Sequence, residues 1–119
     1  MARKVGRPRS KHTPPFDNPH MAWHWKTIRA AHRRALLETR RLNKRMVAGA
    51  DGWNEASIMI DTVPARAIAD ALNEGMTRTQ LHETLTVREP RERYMALLHR
   101  EDNWWELKPW VLALEQTFE

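Results

Sequence analysis

Three groups of residues in this chain have types and spacings that could do chemistry. The largest is cationic. Arg3, Lys4, Arg7, Arg9 and Lys11 crowd the first eleven positions, and Lys26, Arg29, Arg33, Arg34, Arg40, Arg41, Lys44 and Arg45 follow between positions 26 and 45. Fixed positive charge at this density neutralises phosphates or another polyanion. The second group is His20 and His24, whose i, i+4 spacing puts two imidazoles on one helical face, the arrangement that chelates zinc. No glutamate lies between them, no third ligand is visible nearby, and a helix N-terminus repels cations, so two surface histidines and no metal are expected. The third is a set of tryptophans at 23, 25, 53, 104, 105 and 110. They could stack on bases or anchor a core and a partner surface.

Other chemistry is missing from the sequence. The chain has no cysteine, which removes disulfides, a thiolate nucleophile and thiolate-bound metal. No paired carboxylates, Ser/His/Asp set or phosphate-cradling glycine loop can be read, so the expectation is a protein that is not an enzyme and carries no cofactor.

The elements that must position these residues follow from charge and periodicity. The 119 residues suffice for one domain, and the formal net charge of +5 hides an asymmetry. Residues 1–48 hold 13 of the 20 basic residues against Asp17 and Glu38, a net of +11, whereas residues 49–119 hold 7 basic and 13 acidic residues, a net of −6. Residues 1–17, with Pro8, Pro14 and Pro15 and little to bury, read as a flexible basic arm. Asn18-Pro19 then reads as N-cap and first helical residue, and nothing breaks a helix before Gly49. At 100° per residue, Met21, Trp25, Ile28, His32, Ala35, Leu36, Leu42 and Met46 gather on one face, and all eight basic residues of the segment fall within an arc of about 160° on the other. An apolar stripe this long argues for a second copy of the chain to cover it, hence a homodimer.

Residues 50–119 read as a small helical domain. Ala50-Asp51-Gly52 is a turn, and Ser57-Ile58-Met59-Ile60 is either a short strand near 57–62 or an irregular connector. Helices are expected from Thr62-Val63-Pro64 to Gly75, from the capping box Thr77-Arg78-Thr79-Gln80 onward, and from Pro90 through Tyr94, Leu97 and Leu98. In the tail, Trp104, Leu107, Val111, Leu114 and Phe118 keep a heptad-like spacing, with Pro109 forcing a start or kink. Trp105 and Trp110 fall off that stripe and are the candidates for contact with a host protein. The fold class is therefore mostly α: arm, long basic helix over 18–49, and a bundle of three to four short helices.

Two resemblances sharpen the functional reading. Val5-Gly6-Arg7-Pro8-Arg9 resembles an AT-hook, whose Gly-Arg-Pro core lies in the minor groove of A/T-rich DNA; Val5 stands where that family carries arginine. Glycine allows close approach to the groove floor and the arginines enter its negative potential. The segment 64–86 resembles the helix–turn–helix of small DNA-binding regulators of the phage or mobile-element type, with Ile68-Ala69 and Leu72, the Gly75-Met76-Thr77 turn, and Leu81 and Leu85. A ribbon–helix–helix with residues 57–63 as ribbon is the alternative, although it would bury Asp61. The resemblance implies that Arg78, Thr79, Gln80 and His82 lie near the start of the reading helix. The acidic balance of this half argues against its being the main DNA reader.

The expectation is a DNA-binding regulator or architectural factor, cytoplasmic and nucleoid-associated, with RNA an open substitute for DNA. The alternative is a phage-type interaction or packaging protein whose acidic, tryptophan-rich half docks on another protein. No apolar run approaches the length of a membrane span, and the start of the chain does not read as a secretory signal peptide.

Overall fold

The computed structural model describes residues 16–100, which form four helices and, among the described residues, no strand. The first helix, α1, runs Pro19–Arg45: it starts where the sequence predicts but ends three residues early, with extended Met46 as C-cap in place of a stop at Gly49. Asn18 is extended and its side-chain oxygen accepts from the His20 N–H at 2.8 Å, and Pro19 occupies the first helical position, where its missing N–H costs nothing. Lys44 and Arg45 lie in the last turn, facing the negative end of the helix dipole.

A loop with Gly49 (φ +90) and Gly52 (φ +84) reverses the chain into α2, Trp53–Asn73. Here the structure corrects the expected strand. Residues 57–62 are helical, and Pro64 lies inside α2 instead of opening it. An interior proline removes one backbone donor and costs roughly 3 kcal/mol. Packing compensates, because the Pro64 ring is fully buried and Ala65, Ile68, Ala69, Ala71 and Leu72 beyond it all enter the core.

The helices α1 and α2 form an antiparallel hairpin. At one end Trp53 Nε1 donates to Asn43 Oδ1 at 3.2 Å; at the other, His20 Nε2 and Glu74 Oε2 are 3.2 Å apart. Met21, Trp25, Ile28, Ala35 and Leu42 are all buried within this single chain, so the length of the stripe no longer calls for a second copy. Leu36, by contrast, is 40% exposed.

The end of α2 is a Schellman motif. Gly75 takes φ +109, its N–H donates to the Leu72 carbonyl, and the Met76 N–H donates to the Ala71 carbonyl, with Met76 itself buried. The capping box forms as predicted: Thr77 Oγ1 accepts from the Gln80 N–H and Gln80 Oε1 from the Thr77 N–H, opening α3 (Arg78–Thr84). The last described helix, α4 (Arg88–Leu98), starts two residues before Pro90, which sits in the first turn where backbone donors are unpaired anyway. It packs on α2, and α3 touches α1.

Where α1, α2 and α4 meet, a polar junction is built into the core. Asp61 of α2 is 5% exposed and accepts from Arg93 Nε of α4 at 2.8 Å. The Arg93 guanidinium lies over the Tyr94 ring, and the Tyr94 hydroxyl is 2.8 Å from His32 Nδ1 on α1. Burial, reinforced by the Asp61 charge, pushes the Tyr94 hydroxyl up to about 12. Burial also lowers the His32 pKa, aided by Arg93 and Arg29. Asp61, the residue that spoiled a ribbon reading, is thus one half of an interhelical ion pair.

The arm (with Arg3, Lys4, Arg7, Arg9 and Lys11) and the tail (with Trp104, Trp105, Trp110 and the stripe to Phe118) lie at 1–15 and 101–119, outside the described residues.

Candidate nucleic-acid interface

The cationic residues of α1 emerge where the 100° rotation puts them. Lys26, Arg33, Arg34, Arg40, Arg41, Lys44 and Arg45 are all exposed, on the side opposite the buried Ile28, Ala35 and Leu42. At about 1.5 Å per residue the ridge from Lys26 to Arg45 runs roughly 29 Å along the helix. Arg41 donates to Glu38 at 2.8 Å across an exposed i, i+3 pair, the one acidic neighbour on the helix. Lys26, Arg33, Arg34, Arg40, Lys44 and Arg45 make no ion pair among the described residues. A side chain left in water without a partner keeps its charge available to an incoming polyanion.

Arg29 differs from its neighbours. It is half-buried, its guanidinium stands 4.8 Å from the centre of the Trp25 ring, and it donates to the Thr84 carbonyl at 3.3 Å. The helix-end carbonyl of α3 accepts that bond, which ties α3 to α1, so Arg29 is held in place by the fold. Beside it opens a cleft of about 210 Å³ lined by Arg29, His32, Arg33, the 84–87 loop and Pro90. It is large enough for several waters, and hence for a phosphate group.

Trp23 is a residue of this face that charge counting missed. It is 59% exposed, whereas Trp25 is buried at 5% and Trp53 is half-buried. By rotation Trp23 shares its angular position with Arg34 and Arg41, so an exposed indole stands within the basic arc. Its edge meets the His24 ring at 5.0 Å. The signal was readable from the same wheel that placed the arginines, had the aromatics been placed on it with the charges.

The expected reading helix of the helix–turn–helix is short. α3 has seven residues, of which Leu81 and Thr84 are buried, and Gln80 is spent on its own capping box. Arg78 is half-buried, and the His82 pKa is lowered by burial and by the charges of Arg91 and Arg78. Thr79 and Glu83 remain as its exposed side chains. The structure therefore brings seven sequence-predicted cations together on α1, and it sets the half-buried Arg78 on a different element, α3.

The expected pair of surface histidines is also revised. His20 is exposed, but His24 is buried at 3%, its pKa lowered by burial and by the neighbouring His20. No described helix is long and apolar enough to cross a membrane. Compared with known proteins, the chain matches no family model, no curated sequence and no solved structure.

Proposed function

We propose that this protein binds DNA, as a transcriptional regulator or architectural factor, with the exposed ridge of α1 lying along phosphates. The observation that carries this reading is the ridge itself: seven exposed cations on one face of one helix, opposed by a single carboxylate. A ridge of roughly 29 Å is a little shorter than one turn of duplex and wider than the major groove, so it can meet phosphates on both sides of a groove. Trp23 supplies an aromatic surface for a sugar or an unstacked base within the same face.

The arm extends the contact. Gly6-Arg7-Pro8-Arg9, with Arg3, Lys4 and Lys11 around it, has the chemistry of a minor-groove segment and supplies the A/T preference. Nucleoid association in the cytoplasm follows from this reading, and the segment 64–86 serves chiefly as packing.

Electrophoretic competition between A/T-rich and G/C-rich duplexes tests it. The full chain should prefer A/T-rich duplex, and alanine at Arg3, Lys4, Arg7, Arg9 and Lys11 should abolish the preference while α1 keeps residual binding. Alanine at Arg33, Arg34, Arg40 and Arg41 should weaken both duplexes alike. A chain that binds no duplex, yet is captured by a second protein through residues 101–119, would establish the interaction-protein alternative instead.

A further inference from the structure

The antiparallel packing of α1 and α2 brings a third candidate ligand to the two histidines. Glu74, the C-cap of α2, lies 54 positions from His20 in the chain yet beside it in space. One ring nitrogen of His20, one of His24 and a carboxylate oxygen of Glu74 all lie within 4.8 Å of one another. We propose that His20, His24 and Glu74 bind a zinc-type divalent cation at the open end of the α1–α2 hairpin, away from the connecting loop.

Donor type, spacing and burial each support the site. Two imidazoles and a carboxylate suit a borderline first-row ion such as zinc and not calcium or magnesium, which take oxygen cages. Ligands at about 2.0–2.1 Å in a tetrahedron stand about 3.3 Å apart. The His20 Nε2 to Glu74 Oε2 distance is already 3.2 Å. The remaining closure falls to His20 and Glu74, whose side chains are 53% and 55% exposed and free to turn. His24 is fixed, with its ring edge-on to that of His20 at 4.9 Å. Its Nε2 is buried without a hydrogen-bond partner, alone in this among the side-chain polar atoms of the described residues. A buried imidazole nitrogen with no partner is a standing cost that an added partner would relieve.

The electrostatic objection that α1 raises by itself is answered by α2. The first turn of α1 presents the positive end of its dipole, but the negative end of α2 arrives at the same place. Asp70, one turn before Glu74, adds a second negative charge felt at His24. With three protein ligands, a fourth position stays open to water. The ion would staple the first turn of α1, to which the basic arm is joined, to the end of α2.

Zinc titration of the metal-free full chain by calorimetry tests this, with cobalt substitution as a second readout. The expected result is one site per chain, a raised melting temperature with zinc and none with magnesium, and a visible absorption band from four-coordinate cobalt. His20→Ala and Glu74→Gln, both at exposed positions, should each weaken zinc at least about tenfold while leaving the helical circular dichroism of the metal-free chain unchanged. His99→Ala should leave the affinity as it is. No saturable binding, or binding that His20→Ala and Glu74→Gln leave as tight as in the parent, overturns the proposal.

Discussion

Two arginine-bearing regions of this molecule behave in opposite ways. On α1, Arg33, Arg34 and Arg40 stand in solvent with no ion pair among the described residues. Between α2 and α4, Arg93 is clamped by the buried Asp61, lies over Tyr94, and through it reaches His32. The same side chain is a structural tie where a low-accessibility carboxylate waits for it and an open charge where nothing does. Local sequence does not separate the two cases; the partner across the fold does. The ridge should therefore be expendable for stability and needed for binding, and the junction the reverse.

The junction gives the largest expected effect. Arg93→Ala leaves the Asp61 carboxylate buried and unpaired, and should cost about 2–4 kcal/mol in urea denaturation, discounted from the fully buried case because Arg93 is 41% exposed. A cost as small as that of a surface substitution would show that water reaches Asp61 and that the pair is no tie.

Smaller effects should follow at the other end of the same network. Tyr94→Phe keeps the ring and loses the bond to His32, at about 1 kcal/mol. The pH dependence has a definite sign. The folded pKa of His32 is lowered, so below about 6.5 the unfolded chain takes a proton that the folded chain refuses. Stability from this group is intact above that pH and is lost as pH falls toward the lowered folded value. Melting curves between pH 7.5 and 5.5 should show the loss, and His32→Gln should reduce it, leaving the part that His24 and His82 contribute with the same sign. Gly75→Ala, forced into φ +109 with open space around it, should cost about 1 kcal/mol through backbone strain alone.

On the ridge the expected stability change is the smallest. Trp23→Ala and Arg34→Ala should melt like the parent within about 0.5 kcal/mol, as surface positions do. Trp23→Ala should nonetheless weaken DNA binding several-fold. If it destabilises the fold instead, the indole packs and does not wait for a ligand.

The contrast also marks what could be read from the chain beforehand. The start and face of α1 were legible because their signals are local, Asn18-Pro19 and the 3.6-residue spacing of apolar positions; its end was not, because the chain leaves the helix at Met46, three residues before Gly49. The capping box and the Gly75 stop were legible for the same reason. The start of α2 was not, because Pro64 mimics a helix start and only burial of its ring lets the helix run through. Gly52, which caps α2 in the left-handed region, was the available clue. The basic face of α1 needed one helix and was found. The Asp61–Arg93 pair spans 32 positions and the approach of Glu74 to His20 spans 54, so both depend on how helices pack, which periodicity does not encode.

Salt dependence of DNA affinity tests the central claim most directly. Each phosphate contact releases counterion, and log affinity falls with log salt by about 0.9 per contact. With about six of the thirteen cations of residues 1–48 engaged, the parent slope should be roughly −5 to −6, and alanine at Arg33, Arg34, Arg40 and Arg41 should make it shallower by about 3–4 with the melting temperature unchanged. A slope that the four substitutions leave untouched, or a fragment of residues 50–119 that binds as tightly as the whole chain, would contradict the assignment of DNA binding to α1.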